Sequence, residues 1–371
     1  MILLKVKLIN FRNYKETEIH FHPGINVLFG RNGQGKTNIL ESLYYLSLTK
    51  SFRTNSDQSL VLNGSDFFRV QGNFVSDQEK AISSAIAYSP VDGKRLNFNG
   101  QKLQKFSDYI GSIPIVLLSP SDLEISQSGP YRRRQFLDIM LSQSSQLYLH
   151  HLLEYRRALK QRNALLQTEN FDKSTLQAWN ESLVKNGAII MEMRKAAIDK
   201  LDQQVKSQYR TLSGSSDNTK IIYQYSFPLK NSTDISGTYR SALEQVEQKD
   251  RQSQTTSIGP HRDDLLFLIN GKPLRVIGSQ GEHKTFVIAL RIAEFYYLKS
   301  IHQEAPILLF DDIFGELDPV RIANMIDTLS QIGQVFITTT SANFFNKIES
   351  WQQETSFYEI INGSVNIREK V

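Results

Sequence analysis

The first fifty residues alternate between apolar and polar positions in a way that predicts strands around a glycine-rich loop. Residues 4–8 and 17–21 place their less polar side chains at every second position, which is typical of strands with one buried face. The apolar run 25–29 predicts a fully buried strand, and the apolar positions within 38–48 suit a buried helix. The sequence therefore predicts the order strand, loop, helix over residues 25–48.

The middle of the chain changes from a strand pattern to a helical one. Residues 67–118 are rich in strand-like segments and contain the hairpin signal Asn99-Gly100. From 131 to 212, by contrast, there is a single glycine and no proline, and apolar residues recur at spacings of three, four and seven. This pattern predicts two long helices packed as an antiparallel hairpin, with the turn near residues 171–174.

The last third of the chain returns to mixed strands and helices. Asn270-Gly271 and Asn362-Gly363 each predict a tight turn between two strands, because Asn-Gly adopts the backbone conformation that such turns require. The predicted elements are strands 265–269 and 274–277, a helix over 280–300, a strand over 307–310, a helix over 321–329, a strand over 335–338 and strands 359–361 and 365–367.

The composition indicates two or three domains, or one domain with a large insertion. Of the 371 residues, 40% are hydrophobic and 22% are charged, as in ordinary folded proteins. The lack of cysteine excludes disulfides, thiol nucleophiles and thiolate metal sites. A net charge of +5 permits nucleic acid as a partner without requiring it. No stretch approaches the roughly 18 apolar residues of a membrane span, and the first residues are unlike a signal peptide, so we expect a soluble intracellular protein.

The glycine-rich loop matches the pattern G-x-x-x-x-G-K-[ST] at every fixed position. Glycines allow the backbone to wrap closely around phosphates, so that several N–H groups point at one anion. Lys36 would neutralise the β- and γ-phosphates, and the hydroxyl of Thr37 would bind Mg²⁺. The predicted nucleotide-binding residues of the loop are Gly30, Arg31, Asn32, Gly33, Gln34, Gly35, Lys36 and Thr37.

A buried strand that ends in two carboxylates is the second candidate element. The apolar residues 307–310 lead directly into Asp311 and Asp312. We assign Asp311 to the metal, which it would hold through water, and Asp312 to polarising the attacking water. The alternative is a strand that ends in a solvated acidic turn, but the phosphate loop argues against it. Lys36, Asp311 and Asp312 are therefore the candidate catalytic residues.

The segment Ser279-Gln280-Gly281-Glu282 lies at the predicted start of a helix and has two interpretations. In the first it is a capping box, in which Ser279 caps the helix and Glu282 reaches back. In the second the helix start meets a nucleotide, because the first N–H groups of a helix lack partners and bind anions. The two interpretations are compatible.

The order of these motifs resembles that of ABC-type ATPases. The phosphate loop is followed by the Ser-Gln-Gly-Glu segment, by Asp311-Asp312 and by Glu316-Leu317-Asp318. Three further stretches narrow the resemblance to the RecF family of bacterial recombination-repair ATPases, over essentially the whole chain. They are Asn10-Phe11-Arg12-Asn13-Tyr14, then Leu118-Ser119-Pro120-Ser121-Asp122-Leu123 with Arg132-Arg133-Arg134-Gln135-Phe136-Leu137-Asp138, and Gly259-Pro260-His261-Arg262-Asp263-Asp264.

The resemblance implies an α/β fold in two parts. An ABC-type P-loop ATPase head, with a mixed sheet and an antiparallel β subdomain, would carry an inserted helical arm. We expect the head to comprise residues 1–125 and 255–371 and the arm, built on two long helices, to comprise 126–254. A change of composition near residue 126 agrees with the first of these boundaries.

The resemblance also implies a role for each matching residue. Lys36 and Thr37 match the Walker A positions, and Asp311 matches the Walker B aspartate. Asp312 stands where transporters keep a catalytic glutamate, and Ser279 and Gly281 match the signature. Glu316-Leu317-Asp318 match the D-loop, and Thr339 or Thr340 lies where many relatives have a switch histidine. The chain departs from the pattern at Glu282, His283 and Gly315, and it has no clear Q-loop glutamine near Ser119 and no switch histidine. These departures concern hydrolysis rather than nucleotide binding and are consistent with slow turnover.

The function implied by the resemblance is that of a timed switch in recombinational repair and replication restart. It would be a weak, Mg²⁺-dependent ATPase that DNA stimulates. In such ATPases the signature of one subunit covers the γ-phosphate held by the other, so we expect ATP to drive homodimerisation. The family implies binding to single-strand gaps and duplex–single-strand DNA junctions, where the protein would help RecO and RecR to load RecA. We expect a cytoplasmic, nucleoid-associated protein with no membrane partner.

The residues that would contact DNA are open at this stage. Basic side chains of the predicted arm are candidates, but an exposed helix face is often simply charged, and residues 132–134 could instead pair with acids such as Asp122 or Asp138. The candidates are Arg132, Arg133, Arg134, Arg156, Arg157, Lys160 and Arg162.

Two other classes of protein also carry a phosphate loop. One is the nucleotide-binding subunit of an ABC transporter, against which the long helical insertion and the lack of a membrane-docking signal argue. The other is a small-molecule kinase, against which the signature and the late position of the acidic strand argue.

Overall fold

The computed structural model of the chain describes residues 1–168, 172–229, 234–313, 333–340 and 355–368. Its strands in chain order are β1 (Ile2–Phe11), β2 (Tyr14–His20), β3 (Ile25–Phe29), β4 (Phe68–Val75), β5 (Ala81–Ser89), β6 (Gly93–Phe98), β7 (Gln101–Leu103), β8 (Ile115–Leu118), β9 (Thr219–Gln224), β10 (Asp264–Ile269), β11 (Lys272–Pro273), β12 (Ile307–Asp311), β13 (Val335–Thr339), β14 (Thr355–Ile361) and β15 (Ser364–Arg368). Its α-helices are α1 (Lys36–Leu48), α2 (Leu123–Gln127), α3 (Pro130–Ser144), α4 (Gln146–Leu166), α5 (Lys173–Ser213), α6 (Ile235–Ser253), α7 (Leu274–Ile277) and α8 (Gln280–His302).

The chain divides into two compact units, of which the first comprises Met1–Asp122, Thr211–Gly214 and Ile288–Val371. One sheet of this unit has the order β2-β1-β4-β5-β6-β7 and is antiparallel throughout. The other has the order β15-β14-β3-β13-β12-β8, and only its edge pair β14–β15 is antiparallel. A mixed sheet and an antiparallel sheet are the combination that the sequence predicted for the head.

The mixed sheet brings three chain segments to one edge. Strands β3, β12 and β13 are almost completely buried, which explains why their sequences are apolar runs rather than alternating patterns. The strands are parallel, and the register pairs Asp311 with Thr338 and Thr339 with Phe29. The residues that end these three strands therefore lie next to one another, and the glycine-rich loop follows the first of them.

The second unit comprises Leu123–Arg210 and Ser215–Val287 and contains helices α3 to α6 with the sheet β11-β10-β9. The predicted pair of long helices corresponds to α4 and α5, whereas α3 and α6 are additional. Helices α3 and α4 are separate because Ser145 is extended (φ −153°) and its hydroxyl caps α4 by accepting the N–H of Tyr148 at 3.2 Å. The predicted turn near 171–174 lies partly outside the described residues.

The predicted boundary between head and arm at residues 254 and 255 stays a prediction. The second compact unit continues past this point to Val287. The physical reason is that β10 pairs along its whole length with β9, which belongs to the predicted arm.

One predicted strand is wrong. Residues 274–277 form the helical turn α7, and the ladder between β10 and β11 stops at Pro273. Proline lacks the N–H that a longer ladder needs, and its φ of −61° suits the position before a helical turn. Four apolar residues in a row carry too little periodicity to separate the two structures.

Some predicted segments lie outside the described residues. They include the helix over 321–329, Gly315 and Glu316-Leu317-Asp318. The other predicted strands and the helix from Gln280 are confirmed within a few residues of their predicted ends. Among the helices of the described ranges, none is long and apolar enough to cross a membrane.

Candidate nucleotide-binding site

The glycine-rich loop connects β3 to α1 and has the backbone that its sequence predicts. Gly33 and Gly35 have φ angles of 78° and 115°, a region that residues with a side chain rarely adopt. A Cβ on Gly35 would lie 2.6 Å from the Nδ2 atom of Asn13 and 2.8 Å from the hydroxyl oxygen of Tyr14. Because helix α1 begins at Lys36, the loop also presents the unpaired N–H groups of a helix start.

Lys36 is folded back into the loop that precedes it. Its ammonium donates to the carbonyl oxygens of Gly30 at 2.6 Å and Arg31 at 3.0 Å, and the side chain is buried. Burial lowers the pKa of Lys36, and the negative charges of Asp312 and Asp311 oppose that effect. The loop thus holds a cation at the position where the motif requires one.

Asp311, at the end of β12, joins the acidic strand to the loop. Its Oδ1 atom accepts the hydroxyl of Thr37 at 2.8 Å, across 274 residues of sequence, and also the hydroxyl of Thr338 at 2.8 Å. Burial raises the pKa of Asp311, while these two hydroxyl groups act to lower it. The pair predicted to hold the metal, Thr37 and Asp311, is therefore in direct contact.

The donor set around Thr37 and Asp311 fits Mg²⁺. This ion prefers oxygen ligands, and it usually keeps several waters and binds one or two carboxylates together with substrate phosphates. Thr37 and Asp311 offer two protein oxygens beside the loop. The residues described contain no cluster of three or more acidic or histidine side chains that would form a complete protein cage. The arrangement suits a metal that arrives with a nucleotide.

Asp312 has an unusual backbone and an exposed side chain. Its φ is 49°, a left-handed conformation that aspartate tolerates better than most residues. Its N–H donates to the hydroxyl of Thr338 at 2.9 Å. Thr338 thus contacts both acidic residues, whereas the sequence predicted Thr339 or Thr340 for this strand end. The pairing of Asp311 with Thr338 in the sheet is the signal that could have identified it.

The Ser-Gln-Gly-Glu segment lies in the second unit and forms the predicted capping box. The N–H of Ser279 donates to Oε2 of Glu282 at 2.7 Å, and the N–H of Glu282 donates to the hydroxyl of Ser279 at 3.2 Å. Ser279 is exposed, and the hydroxyl of Thr285 donates to the carbonyl of Gly281 at 2.8 Å. The nucleotide interpretation of Ser279 and Gly281 stays a prediction, and the helix start is accessible for it.

Two of the candidate DNA-contacting arginines are buried ion-pair partners. Arg133 is 4% exposed and donates to both oxygens of Asp264, at 2.6 and 3.0 Å. Arg162 and Asp250 are both fully buried and lie 2.7 Å apart. A buried arginine cannot reach a phosphate without leaving its partner as an uncompensated buried charge, so these two are paired within the fold rather than available to DNA.

The other arginines of the 132–134 cluster are also paired. Arg132 contacts Glu124 at 2.5 Å, and Arg134 donates to the backbone carbonyl of Asp263 at 2.7 Å. The interpretation of this cluster as structural gains support, but the partners differ from those considered. Asp122 pairs instead with Arg291, and Asp138 pairs with Arg194 and Arg156.

The remaining basic candidates lie on the exposed side of α4. Arg156, Arg157 and Lys160 are all exposed. Arg156 contacts Asp138 at 2.9 Å, whereas Arg157 and Lys160 have no acidic partner within the described part of the chain. These two are the residues of the candidate set that are best placed for a polyanion.

Known proteins resemble this chain over nearly its whole length. The family model of the RecF/RecN/SMC N terminal domain matches residues 2–359. The DNA replication and repair protein RecF of Streptococcus gordonii (strain Challis) is 36% identical over 366 residues, 98% of this chain and 100% of that protein. A solved structure of the recombination mediator protein RecF-ATPrS in the RecFOR pathway has a TM-score of 0.91 at 32% identity, covering 98% of this chain and 97% of the other. The RecF-ATP structure from the same pathway has a TM-score of 0.89 at 31% identity and covers 99% of both chains. These similarities confirm the family that the motifs suggested.

Proposed function

The chain belongs to the RecF family, and from this premise we propose that it binds and slowly hydrolyses ATP in DNA replication and repair. The observation that carries the proposal is the hydrogen bond between Thr37 and Asp311. It joins the two elements that hold Mg²⁺ and nucleotide in P-loop ATPases. One of the similar solved structures is that of RecF-ATP, which supports ATP as the nucleotide.

Binding begins with the loop and Lys36. The N–H groups of the glycine-rich loop and of the first turn of α1 point at the β- and γ-phosphates. Lys36 exchanges the carbonyls of Gly30 and Arg31 for phosphate oxygens, which is favourable because a full negative charge replaces two neutral acceptors. Binding is mainly electrostatic and therefore requires the protonated form of Lys36. The negative charge of the phosphates stabilises this protonated form.

Hydrolysis depends on the acidic end of β12. Thr37 and Asp311 are the residues that would hold Mg²⁺, which neutralises charge on the phosphates when it is bound. Asp312 orients and polarises the attacking water, and Thr338 holds the backbone of Asp312 through its N–H. An aspartate side chain is one methylene shorter than the glutamate usual here in transporters, so we expect slow turnover that suits a switch.

Dimerisation follows from the exposed start of α8. Ser279 and the N–H groups near Gly281 cover the γ-phosphate held by the partner subunit, so ATP stabilises the dimer and hydrolysis releases it. The interface then forms only while the triphosphate is intact. The oligomeric state of such a protein therefore depends on which nucleotide is bound.

The setting of this switch is the gap or the duplex–single-strand junction in damaged DNA. The similar structures are assigned to the RecFOR pathway, which supports RecO and RecR as partners. We propose that the outcome is the loading of RecA. We place the protein in the cytoplasm, on the nucleoid. DNA would stimulate the ATPase by favouring the dimer.

Reversing the charges of the exposed residues Arg157 and Lys160 tests the proposed DNA contact. Reversing both charges in Arg157→Glu/Lys160→Glu should weaken DNA binding, and the slope of log affinity against log salt should fall by about two, one for each lost phosphate contact. Reversal of the exposed Lys102, which lies on strand β7 of the first unit, is the control. Unchanged affinity and salt slope in the double variant would exclude this face of α4.

The nucleotide site is tested by Lys36→Ala. The variant should remain folded and lose ATP affinity by at least tenfold, about 1.4 kcal/mol or more, because a charge-assisted contact to the phosphates is removed. Lys102→Ala is the matched control, since Lys102 is exposed and far along the chain from the loop. Titration with a fluorescent ATP analogue measures both, and normal affinity in Lys36→Ala would refute the nucleotide site.

A further inference from the structure

Three Asn-Gly turns share one backbone conformation but differ in their surroundings. The φ angles are 48° and 80° at Asn99-Gly100, 50° and 75° at Asn270-Gly271, and 49° and 78° at Asn362-Gly363. A Cβ added to Gly100 or Gly271 would meet nothing within 4 Å. A Cβ on Gly363 would lie 2.8 Å from the backbone oxygen of Asn13, so of these three glycines Gly363 alone lies in close contact with another segment of the chain.

The third turn is packed against the phosphate loop. The N–H of Asn362 donates to the side-chain oxygen of Gln34 at 2.7 Å, and the N–H of Gly363 donates to the backbone oxygen of Gln34 at 3.2 Å. The same backbone oxygen accepts the Nδ2 group of Asn13 at 3.0 Å. Three hydrogen bonds therefore hold Gln34, the residue between the two left-handed glycines of the loop.

The hairpin also reaches the beginning of the loop. Strand β14 lies parallel to β3, and a Cβ on Gly30 would overlap the carbonyl oxygen of Ile360. The hairpin formed by β14, its turn and β15 thus meets the loop at Gly30 and again at Gln34. The hairpin therefore covers the loop at these two points.

The hydrogen bonds to Gln34 also fix the orientation of the peptide group that joins Gln34 to Gly35. In a trans peptide the C=O of Gln34 and the N–H of Gly35 point in opposite directions, because the six atoms of the unit lie in one plane. The C=O is directed at Asn13 and Gly363, so the N–H of Gly35 is directed away from them. Phosphate binding by such a loop depends on N–H groups that face the anion before it arrives.

We propose that the hairpin over residues 355–368 is a positioning element for ATP, which acts by fixing the Gln34–Gly35 peptide through the Asn362-Gly363 turn. In this proposal Gly363 and Asn13 are positioning residues, which act on ATP through Gln34. The inference rests on the proposed ATP site. Because coupling between two sites is reciprocal, bound ATP must tighten the turn to the same degree that the turn favours ATP.

A pair of glycine variants tests the proposal. Gly363→Ala and Gly100→Ala both place a methyl group on the same left-handed turn, so both carry the same backbone strain. Only Gly363→Ala also displaces the turn from Asn13 and Gln34. We expect Gly363→Ala to bind a fluorescent ATP analogue about tenfold more weakly than the unmodified protein, and Gly100→Ala to bind it normally. Equal affinities of the two variants would overturn the proposal.

Hydrogen exchange provides a second readout, and a second variant covers the case in which Gly363→Ala does not fold. ATP should slow exchange of the amides of Asn362 and Gly363 but leave those around Asn99 unchanged, and equal behaviour of the two turns would contradict the coupling. Asn13→Ala, which removes one bond to Gln34, should also weaken ATP binding several-fold, and normal binding would again count against the proposal. If the unmodified protein failed to bind ATP, the proposed function itself would fall, whereas normal binding by the variants alone overturns only this inference.

Discussion

At the scale of single residues, the hydroxyl of Thr338 organises the acidic end of β12. It donates to the carboxylate of Asp311 and accepts the N–H of Asp312. The first hydrogen bond fixes the carboxylate of Asp311. The second fixes the backbone of Asp312, which lies in the left-handed region. Thr338 therefore positions Asp311 and Asp312 although it carries no charge.

Replacing Thr338 by valine removes this hydroxyl and keeps the shape of the side chain. We expect the turnover of ATP by Thr338→Val to fall about tenfold or more, because hydrogen bonds to charged groups contribute about 1.5–3 kcal/mol. The affinity for ATP should change much less, since the loop and Lys36 are untouched. Steady-state kinetics separate the two effects, and an unchanged kcat would show that Thr338 has no such role.

His261 gives a prediction for the pH dependence of stability. Its Nε2–H donates to the carbonyl of Thr256 (3.0 Å), so in the neutral ring Nδ1 accepts the hydroxyl of Tyr155 (2.7 Å), and burial lowers the pKa of His261 to about 4. In the unfolded chain a histidine titrates near 6.5, so between these values the unfolded state binds a proton that the folded state does not. The contribution of His261 to the free energy of unfolding is therefore complete above about pH 6.5. It decreases as the pH falls, by about 2 kcal/mol between pH 7 and pH 5.

Urea denaturation of His261→Gln and His20→Gln at the two pH values checks this. His261→Gln should show a smaller loss of stability between pH 7 and pH 5 than the unmodified protein. His20 is 68% exposed, so His20→Gln should keep the full loss. The same pH dependence in both variants would mean that His261 does not contribute to it.

The residues of the site divide into those that the sequence could predict and those that it could not. Lys36 and Thr37 were predictable because the loop pattern fixes both their type and their spacing. Thr338 and Asn13 were not, since their roles arise from strand register and from contacts between segments far apart in the chain. The pairing of Arg133 with Asp264, across 131 residues, was missed for the same reason.

At the scale of secondary structure, helix α8 begins with a capping box whose polar groups serve the helix itself. Ser279 and Glu282 satisfy each other's N–H groups, so helix capping alone would account for both residues. A nucleotide-binding role therefore needs a variant that preserves the cap. Aspartate provides it, because aspartate caps helices about as well as serine does.

Ser279→Asp should keep the stability of the protein within about 0.5 kcal/mol and abolish ATP-dependent dimerisation. The new carboxylate would face the γ-phosphate held by the partner subunit, and the two negative charges would repel each other. Ser145→Asp is the matched control, because Ser145 caps α4 with the same type of bond to Tyr148. Thermal denaturation and sedimentation measure the two properties. Normal dimerisation of Ser279→Asp would leave the serine with its capping role alone.

The elements themselves were predictable where their pattern was long. The apolar run of β3 and the 23 residues of α8 each carry enough periodicity or length to identify them. Residues 274–277 and the break at Ser145 were not predictable, because a single turn or a single extended residue leaves no repeating pattern.

At the scale of the whole molecule, the proposed function is that of an ATP-controlled dimer. The parallel sheet of the first unit assembles the phosphate loop, Asp311 and Thr338 at one edge, and the second unit carries the exposed Ser279. In the proposed mechanism a complete site needs the loop of one subunit and the signature of another.

Sedimentation velocity with and without a non-hydrolysable ATP analogue tests this claim most directly. We predict that the unmodified protein is monomeric without nucleotide and dimeric with it. Lys36→Ala should stay monomeric because it fails to bind the analogue, and Ser279→Arg should stay monomeric although it binds. A protein that binds the analogue and remains a monomer, or a Ser279→Arg variant that dimerises normally, would contradict the account.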